Sequence, residues 1–190
     1  MDQNTVLNLF RSSGALLEGH FRLTSGLHSP GYLQCALVLQ HPHHAEALGR
    51  ALAAKLPQTG ATVVLSPALG GLIIGHEVAR ALSLRAIFAE RQDGRLTLRR
   101  GFVLGPSDRV LVVEDVVTTG GSTQETIDVA RAAGATVVGA ASIIDRSGGN
   151  QKIDVPFTAL AAISVPTYQP EACPLCAQGI PVVKPGSRVV

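Results

Sequence analysis

Residues 109–123, RVLVVEDVVTTGGST, join an apolar run, two adjacent acids and a glycine-rich turn. The apolar run predicts a buried parallel strand, and ligands of open α/β sheets bind at the carboxyl ends of such strands. Glu114 and Asp115 lie at that end. Paired carboxylates suit the neighbouring hydroxyl groups of a ribose, because each oxygen accepts a hydrogen bond. This order of residues predicts a pocket for a phosphorylated sugar.

The residues between the acids and the next predicted helix would surround the phosphate group. A helix amino terminus carries free N–H donors and partial positive charge, and small side chains let those donors approach an anion. The residues of this candidate phosphate site are Val116, Val117, Thr118, Thr119, Gly120, Gly121 and Ser122. The alternative is an ordinary connection in which Ser122 and Glu125 form a capping box. The two preceding acids favour the phosphate hypothesis, because adjacent like charges need a partner.

Composition narrows the class of protein. A chain of 190 residues that is 46% hydrophobic is long enough for one compact domain with a sizeable core. A formal net charge of +2 with 16% charged residues gives no electrostatic footprint for nucleic acid. No apolar segment is long enough to span a membrane, and the first residues do not resemble a signal peptide. We therefore expect a cytoplasmic protein that binds neither nucleic acid nor membranes.

The hydrophobic pattern predicts an α/β protein with alternating strands and helices. Residues 5–13 are predicted to be helical and residues 21–38 to be extended, with interruptions at glycine and proline. Further strands are predicted at residues 62–65, 84–90, 109–115 and 136–144, and helices at residues 43–55, 71–82 and 122–133. Such alternation predicts a parallel sheet with right-handed crossovers. Between Glu90 and Arg109 no helix is predicted, and this polar segment is interpreted as a long excursion or hairpin that forms a lid or binding loop.

Cysteine and histidine residues raise the question of a metal site. Cys173 and Cys176 form a CPLC motif, but a structural zinc site needs four ligands, and Cys35 and every histidine lie far away in sequence. The default interpretation is a packed or solvent-facing thiol pair, with no metal bound by the protein. His41, His43 and His44 are interpreted as the solvated first turn of a helix.

The motif EDVVTTGGS at residues 114–122 resembles the phosphoribosyl-diphosphate motif of the type I phosphoribosyltransferases. Three further segments resemble the orotate phosphoribosyltransferases in content, order and spacing: HFRLTSGLHSPGYLQ at 20–34, FAERQDGRLTLRRGF at 88–102 and SIIDRSGG at 142–149. The resemblance covers nearly the whole chain. It implies the type I fold, with a central, mainly parallel sheet flanked by helices and a long flexible catalytic loop. It also implies a small hood, formed mainly by about residues 1–40 and the C-terminal segment, within a single domain of residues 1–190.

The resemblance also implies an activity. Members of this family transfer ribose 5-phosphate from phosphoribosyl diphosphate to orotate, which yields orotidine 5′-monophosphate and diphosphate in de novo pyrimidine biosynthesis. Magnesium is expected on the substrate's diphosphate, because this ion binds through phosphates and at most one or two carboxylates. A homodimer with the loop shared between subunits is expected. The loop at the end of the strand near Val63 would hold the diphosphate through backbone N–H groups, and its residues are Ala68, Leu69, Gly70 and Gly71.

The catalytic loop departs from the form common among relatives, which carry lysines there. Here the positive charges are Arg91, Arg95, Arg99 and Arg100. Arginine keeps its proton, so its expected role is to stabilise the charge of the departing diphosphate. Arg95, beside Gly94, is the first candidate and Arg91 the second. The alternative, which weighs equally for Arg99 and Arg100, is that these arginines only solubilise a surface hairpin.

Recognition of the base is assigned to Arg146, with Thr118 serving both sugar and base. A guanidinium matches the orotate carboxylate with two parallel hydrogen bonds. The alternative is a structural ion pair with the neighbouring Asp145 or another acid. We expect the strand that ends before Arg146 to lie beside the strand that ends at Asp115, because both should face one crevice.

Two further departures from the family pattern concern single contacts. Thr24 stands where many relatives have a lysine, and the pair Leu69-Gly70 replaces a bulkier, basic pair. Two rival functions stay open at this stage. One is a phosphoribosyltransferase for a purine or uracil. The other is a non-catalytic regulator that senses phosphoribosyl diphosphate, although neither a basic helix nor spare length for a DNA-binding region is visible.

Overall fold

The structure is a computed structural model that describes residues 1–23 and 25–185. Its strands are β1 Leu16–Arg22, β2 His28–Leu33, β3 Val63–Pro67, β4 Arg85–Gln92, β5 Arg95–Leu98, β6 Arg109–Val117, β7 Thr136–Asp145 and β8 Phe157–Ala162. Its helices are α1 Gln3–Ser12, α2 Cys35–Leu39, α3 Pro42–Lys55, α4 Gly71–Leu82, α5 Gly121–Ala132 and α6 Pro174–Ala177. A six-stranded sheet runs in the order β5-β4-β3-β6-β7-β8, and β1 pairs with β2 in a separate hairpin. Within the described part of the chain, no helix is long and apolar enough to cross a membrane.

The central sheet is parallel and buried on both faces. The pairs β3–β4, β3–β6, β6–β7 and β7–β8 are parallel, and only the edge strand β5 is antiparallel to its neighbour. Alternate residues of β3 and β6 enter two different cores, as the period of two in a strand requires. Val64 and Leu111 pack with α3 and α4, whereas Val63 and Val112 pack on the other side with Ile127 of α5. Burial on both faces explains why the β6 sequence is an unbroken apolar run.

Most predicted elements of the alternating region are confirmed, and two predictions need correction. The predicted interruption of the extended segment 21–38 is confirmed, because β1 and β2 form a hairpin, but the predicted bounds are wrong. Strand β1 begins earlier, at Leu16, and Cys35–Leu39 is helical. The strand β8, Phe157–Ala162, was not predicted, because FTALAA is short and its alanines carry little strand signal.

The segment between β4 and β6 contains a tight hairpin, which decides between the two predicted alternatives. Gln92 pairs with Arg95 across a two-residue turn. Asp93 and Gly94 both have positive φ, 50° and 82°, the conformation of a type I′ turn. The Asp-Gly sequence supplies the residues that this turn favours. The hairpin places Arg95 at the first position of β5.

The C-terminal segment, which follows β8 and is described as far as residue 185, pairs with the β1–β2 hairpin. Val183 accepts a hydrogen bond from the Arg22 N–H at 2.9 Å and donates one to the His20 carbonyl at 2.8 Å. His28 and Tyr168 exchange two backbone hydrogen bonds of 2.9 Å. Backbone pairing therefore joins the C-terminal segment to the β1–β2 hairpin, and the hood that the resemblance implied stays a prediction.

Candidate active site

The candidate site lies where β3, β6 and β7 end. These strands are parallel neighbours, so their carboxyl ends meet at one edge of the sheet. Val117 of β6 lies opposite Asp145 of β7, and the Arg146 N–H donates to the Val117 carbonyl at 2.8 Å. The predicted adjacency of these two strand ends is confirmed. The residues proposed to bind the donor sugar and the residue proposed to bind the base therefore lie at neighbouring strand ends.

Glu114 and Asp115 are acids without a counter-charge from the described protein. Glu114 is only 7% exposed. Its Oε1 accepts from the Asp115 N–H at 3.2 Å, and Asp115 Oδ1 accepts from the Val116 N–H at 2.8 Å. Among the described residues neither carboxylate has an ion pair. Burial, followed by the charge of Asp115, raises the pKa of Glu114 well above its ordinary value.

The predicted diphosphate loop lies directly against these acids. A Cβ atom on Gly70 would be 2.8 Å from Asp115 Oδ1, and one on Gly71 would be 2.9 Å from the Val113 carbonyl oxygen. The Ala68–Leu69 peptide bond is cis. A cavity of about 260 Å³ is lined by Pro67, Ala68, Gly70, Arg91, Leu96, Glu114, Asp115, Val116 and Ser122. The acids and the loop therefore face one shared space.

The turn after the acids forms a smaller cavity of about 80 Å³. It is lined by Glu114, Val116, Val117, Thr118, Thr119, Gly120, Gly121, Ser122 and Thr123. Gly120 has a φ of +84°, and a Cβ there would meet Ile153 Cγ1 at 2.9 Å. The Lys152 N–H also donates to the Thr119 carbonyl at 2.9 Å, so the turn is supported from outside. Helix α5 begins at Gly121, and the N–H groups of its first turn have no partner four residues earlier in the helix.

The alternative prediction, that Ser122 and Glu125 form a capping box, is wrong. Gly120 occupies the cap position in a left-handed conformation, so the cap residue has no side chain that could bond the first turn of the helix. Glu125 instead accepts from the Leu96 N–H at 2.8 Å and from Arg91 Nη2 at 2.9 Å. The physical reason is that the β4–β5 hairpin brings a charged partner and a free N–H to Glu125. This carboxylate therefore fastens the hairpin to α5.

The two loop arginines proposed for catalysis occupy different positions. Arg91 lines the larger cavity, while its guanidinium also contacts Glu125 and donates to the Gly94 carbonyl at 2.6 Å. Arg95 is exposed, and its side chain has no ion pair within the described residues. It does not line the cavity of its own chain. Arg99 and Arg100 lie 3.6 and 2.9 Å from Glu90, which favours a surface role for this pair.

Arg146 is a half-buried cation at the end of β7. Burial lowers its pKa, and the neighbouring Cys35 and Tyr32 act in the opposite direction. Asp145 Oδ1 accepts from the Ser147 N–H at 2.8 Å. In the described ranges, no carboxylate forms an ion pair with Arg146. The alternative of a structural ion pair is therefore not observed there, and the guanidinium remains available for an anionic ligand.

Cys35 is a buried neighbour of the candidate site that the sequence did not indicate. Burial raises the pKa of its thiol, the charges of Asp115 and Glu114 raise it further, and Arg146 acts in the opposite direction. These effects place Cys35 near both the acids and the arginine. No sequence signal marks it, because it comes from the start of α2, a part of the chain that had been predicted to be extended.

The cysteine and histidine predictions have a mixed outcome. His41, His43 and His44 lie at the start of α3, as predicted. The histidines are far from the CPLC motif in sequence, as stated, but two of them lie beside it in the folded chain. His20, His28, Cys173 and Cys176 form one cluster, because the C-terminal segment pairs with the β1–β2 hairpin. Thr24, which stands where many relatives have a lysine, lies outside the described residues.

Comparison with known proteins agrees with the site. Residues 38–169 match the phosphoribosyl transferase domain family. The chain is 54% identical over its full length, and over that of the relative, to an orotate phosphoribosyltransferase from Pelotomaculum thermopropionicum. It is 56% identical to one from Carboxydothermus hydrogenoformans, with 96% of this chain and 97% of that protein covered.

A solved structure supports the fold. The crystal structure of orotate phosphoribosyltransferase from Aeropyrum pernix matches with a TM-score of 0.73 at 26% identity, over 83% of this chain and 93% of that chain. The mainly parallel sheet flanked by helices is thus the type I phosphoribosyltransferase fold. The identities of 54% and 56% to the two relatives above, over nearly the whole length of each chain, establish the family. The chain belongs to the orotate phosphoribosyltransferases.

Proposed function

We propose that the protein transfers ribose 5-phosphate from phosphoribosyl diphosphate to orotate in de novo pyrimidine biosynthesis. The products are orotidine 5′-monophosphate and diphosphate. The observation that carries the proposal is that two acids, a diphosphate loop and Arg146 converge at the ends of three neighbouring strands, and within the described residues neither the acids nor the arginine form an ion pair. The high identity to orotate phosphoribosyltransferases supports orotate over another base. The same identity favours an enzyme over a non-catalytic sensor.

The donor binds across the two cavities at the end of β6. Its 5-phosphate is held by the turn 118–122, where the free N–H groups of α5 and its partial positive charge favour an anion. Its ribose hydroxyls donate to Glu114 and Asp115, which form no ion pair with any residue that the structure describes. Binding thus supplies the partners that the adjacent acids need.

Magnesium fits the chemistry of these residues. Glu114 and Asp115 supply oxygen ligands, which this ion prefers, and they lie in one cavity with the diphosphate loop. When bound with the donor, the ion would neutralise part of the charge on the diphosphate. Two carboxylates and the substrate's phosphates suffice, because magnesium keeps several of its waters. The described chain would thus hold the ion mainly through its substrate.

The diphosphate leaves toward the loop Ala68–Gly71. The bond between the anomeric carbon and the diphosphate breaks as the bond to the base nitrogen forms, and the sugar becomes cation-like. The proton displaced from that nitrogen passes to water or to the departing diphosphate. Catalysis then consists of holding both partners and stabilising the charge of the leaving group. Arg91 already lines the cavity beside this loop. Arg95 is exposed and has no ion pair within the described ranges, and it is proposed to act in the site of a second subunit.

Orotate is proposed to bind between Thr118 and Arg146. The guanidinium is half-buried without a carboxylate partner in the described structure, so a ligand carboxylate would gain two charge-assisted hydrogen bonds. Cys35 and Tyr32 lie beside Arg146 and would form the wall of the base pocket. A pocket of this kind disfavours uracil and adenine, because both lack a carboxylate to match the cation.

A homodimer would explain the exposed position of Arg95. Leu69 is 83% exposed and Ile73 is 45% exposed, and both lie on the segment that carries the diphosphate loop. Exposed apolar side chains beside a site mark a surface that another chain can cover. A second copy packed there would bring its own β4–β5 hairpin over the cavity. The cytoplasmic location expected from the sequence stays a prediction.

The direct test mixes the full-length protein with magnesium, phosphoribosyl diphosphate and orotate and follows the loss of orotate absorbance. We expect turnover that depends on both substrates and on magnesium, and none with uracil or adenine as acceptor. Donor binding without turnover would instead favour a non-catalytic sensor. Turnover with another base at a comparable rate would reject orotate specificity.

A matched pair of variants connects the activity to the acids. Asp115→Asn removes one charge in the cavity at nearly constant size, and we expect donor binding to weaken by at least about tenfold, or ~1.4 kcal/mol. Asp128→Asn makes the same change at an exposed position of α5 and serves as the control. Calorimetry that finds equal donor affinity for both variants would remove Asp115 from the donor site.

A further inference from the structure

We propose that His20, His28, Cys173 and Cys176 form a structural zinc site that fastens the C-terminal segment to the β1–β2 hairpin. The four side chains come from β1, β2 and the short α6 with its preceding residue. Each offers one ligand atom, and all of these atoms lie within 4.8 Å of one another. The cluster is separate from the donor and base pockets described above.

The distances within the cluster match a tetrahedral zinc site. His20 Nε2 lies 2.9 Å from His28 Nδ1, 3.5 Å from Cys173 Sγ and 3.8 Å from Cys176 Sγ. Cys176 Sγ lies 3.3 Å from His28 Nδ1. Zn–N bonds of ~2.0 Å and Zn–S bonds of ~2.3 Å place tetrahedral ligand atoms roughly 3.3–3.8 Å apart. Small adjustments of the side chains would therefore close this arrangement around one ion.

A backbone contact orients His20 for metal binding. Its Nδ1 lies 2.7 Å from the Ile180 carbonyl oxygen, and only a protonated nitrogen can donate to that oxygen. The neutral ring then has its lone pair on Nε2, which faces the cluster. A second hydrogen bond of this kind is typical of histidines that bind metals, because it fixes both the tautomer and the ring orientation. Ile180 belongs to the same C-terminal segment as the cysteines.

Charge and burial favour an ion over a cluster of neutral side chains. His20, His28 and Cys173 are 3%, 6% and 3% exposed, and the group contains no carboxylate. Zinc with two thiolates and two neutral imidazoles has no net charge, so it can be buried without a further counter-ion. Binding releases the two thiol protons, which balances the charge. Two thiols and two imidazoles are also a common ligand set of structural zinc sites.

The position of the cluster explains what the ion would stabilise. Among the described residues, the C-terminal segment contacts the hairpin through four backbone hydrogen bonds, those of Val183 with Arg22 and His20 and those of Tyr168 with His28. A two-stranded hairpin is marginally stable by itself. A metal that joins both strands to residues 173 and 176 would hold the hairpin and the segment as one unit. Strand β2 leads directly to Tyr32 and Cys35, so a stable hairpin also positions the wall of the base pocket.

The first test measures metal in the full-length protein purified without chelators. We expect inductively coupled plasma mass spectrometry to find one zinc per chain, with Cys173 and Cys176 reduced. Metal-free protein, prepared with a chelator and reductant, should bind cobalt(II) with the absorption bands of a tetrahedral thiolate site. Its melting temperature should be lower than that of the zinc form by about 10 °C.

Variants assign the metal to this cluster. Cys176 is exposed, so Cys176→Ser removes a ligand with little loss of packing, and it should abolish the cobalt thiolate bands and lower zinc retention at least about tenfold. His76→Gln, at a histidine 69% exposed on α4, is the control and should retain one zinc. If Cys176→Ser is insoluble, the metal content and melting temperature of the unmodified protein decide. Purified protein with reduced thiols that holds no zinc and binds no cobalt would overturn the proposal, and so would a stable Cys173–Cys176 disulfide.

Discussion

Gly70 and Asp115 lie so close together that any side chain at position 70 would collide with the carboxylate. A Cβ atom there would be 2.8 Å from Oδ1 and 3.0 Å from Oδ2 of Asp115. Contacts below 3.0 Å force one of the two groups to move. The glycine thus allows the diphosphate loop to pack against the acid that is proposed to bind the donor ribose, and it couples the two halves of the donor site.

The first prediction is that Gly70→Ala weakens donor binding. The added methyl group displaces the Asp115 carboxylate or the loop, and overpacking of this kind costs roughly 1–3 kcal/mol, so donor affinity should fall about tenfold or more. Gly105→Ala is the matched control, since nothing lies within 4 Å of its Cβ position. Isothermal calorimetry with phosphoribosyl diphosphate and magnesium measures the effect. Equal affinities for the two variants would show that the contact between Gly70 and Asp115 is irrelevant to binding.

A second prediction concerns pH and the free energy of unfolding. Burial and the charge of Asp115 raise the pKa of Glu114 in the folded protein well above its ordinary value of 4.5. Below pH 4.5 the Glu114 carboxyl is protonated in both the folded and the unfolded chain. As the pH rises, the unfolded chain releases the proton first, so the stability that Glu114 contributes is lost as the pH rises through its folded pKa.

Glu114→Gln isolates this effect, because glutamine stays neutral at every pH. We expect the variant to gain stability relative to the unmodified protein as the pH rises above 4.5, the ordinary pKa of glutamate, as measured by urea unfolding without ligands. Glu18→Gln, at an exposed position of β1, makes the same chemical change away from the site and serves as the control. A stability difference for Glu114→Gln that does not change with pH would contradict the prediction.

The main features of the site were predictable from local sequence rules. An apolar run of β6 residues implies a buried parallel strand, and parallel neighbours end at the same edge, so the adjacency of Val117 and Asp145 follows. The Asp93-Gly94 pair likewise indicates a tight hairpin turn. These features depend on residues that are close in the chain or on a general rule of sheet topology.

Other contacts depend on segments that fold back over long distances. Glu125 has the spacing of a capping box, but Leu96 and Arg91 reach it only because the β4–β5 hairpin packs on α5. His20 and Cys173 are 153 residues apart and meet only through the pairing of the C-terminal segment with β1. The spacing of residues along the sequence carries no information about contacts between such distant segments.

A third prediction addresses the exposed Arg95 and the proposed homodimer. If its guanidinium acts in the partner's site, mixing Arg95→Ala with Asp115→Asn protein should restore activity, because each hybrid dimer then contains one intact site. Each variant alone should be less active than the mixture. The measurement is the orotate absorbance assay after subunit exchange, which is verified by mass spectrometry of differently tagged chains. Proven exchange without recovered activity would place Arg95 in its own subunit's site or outside catalysis.

The last prediction is that Arg146→Ala loses orotate binding while donor binding barely changes. A half-buried guanidinium without a carboxylate partner in the described structure should gain a bidentate contact from the substrate, so its removal should cost about a hundredfold in orotate affinity, or ~3 kcal/mol. Arg50→Ala, at an exposed position of α3, is the control. A purely structural Arg146 would loosen the whole pocket, lower the melting temperature and weaken both substrates alike. Orotate and donor affinities measured beside a melting curve therefore separate the two roles, and equal losses for both substrates would reject Arg146 as the residue that recognises the base.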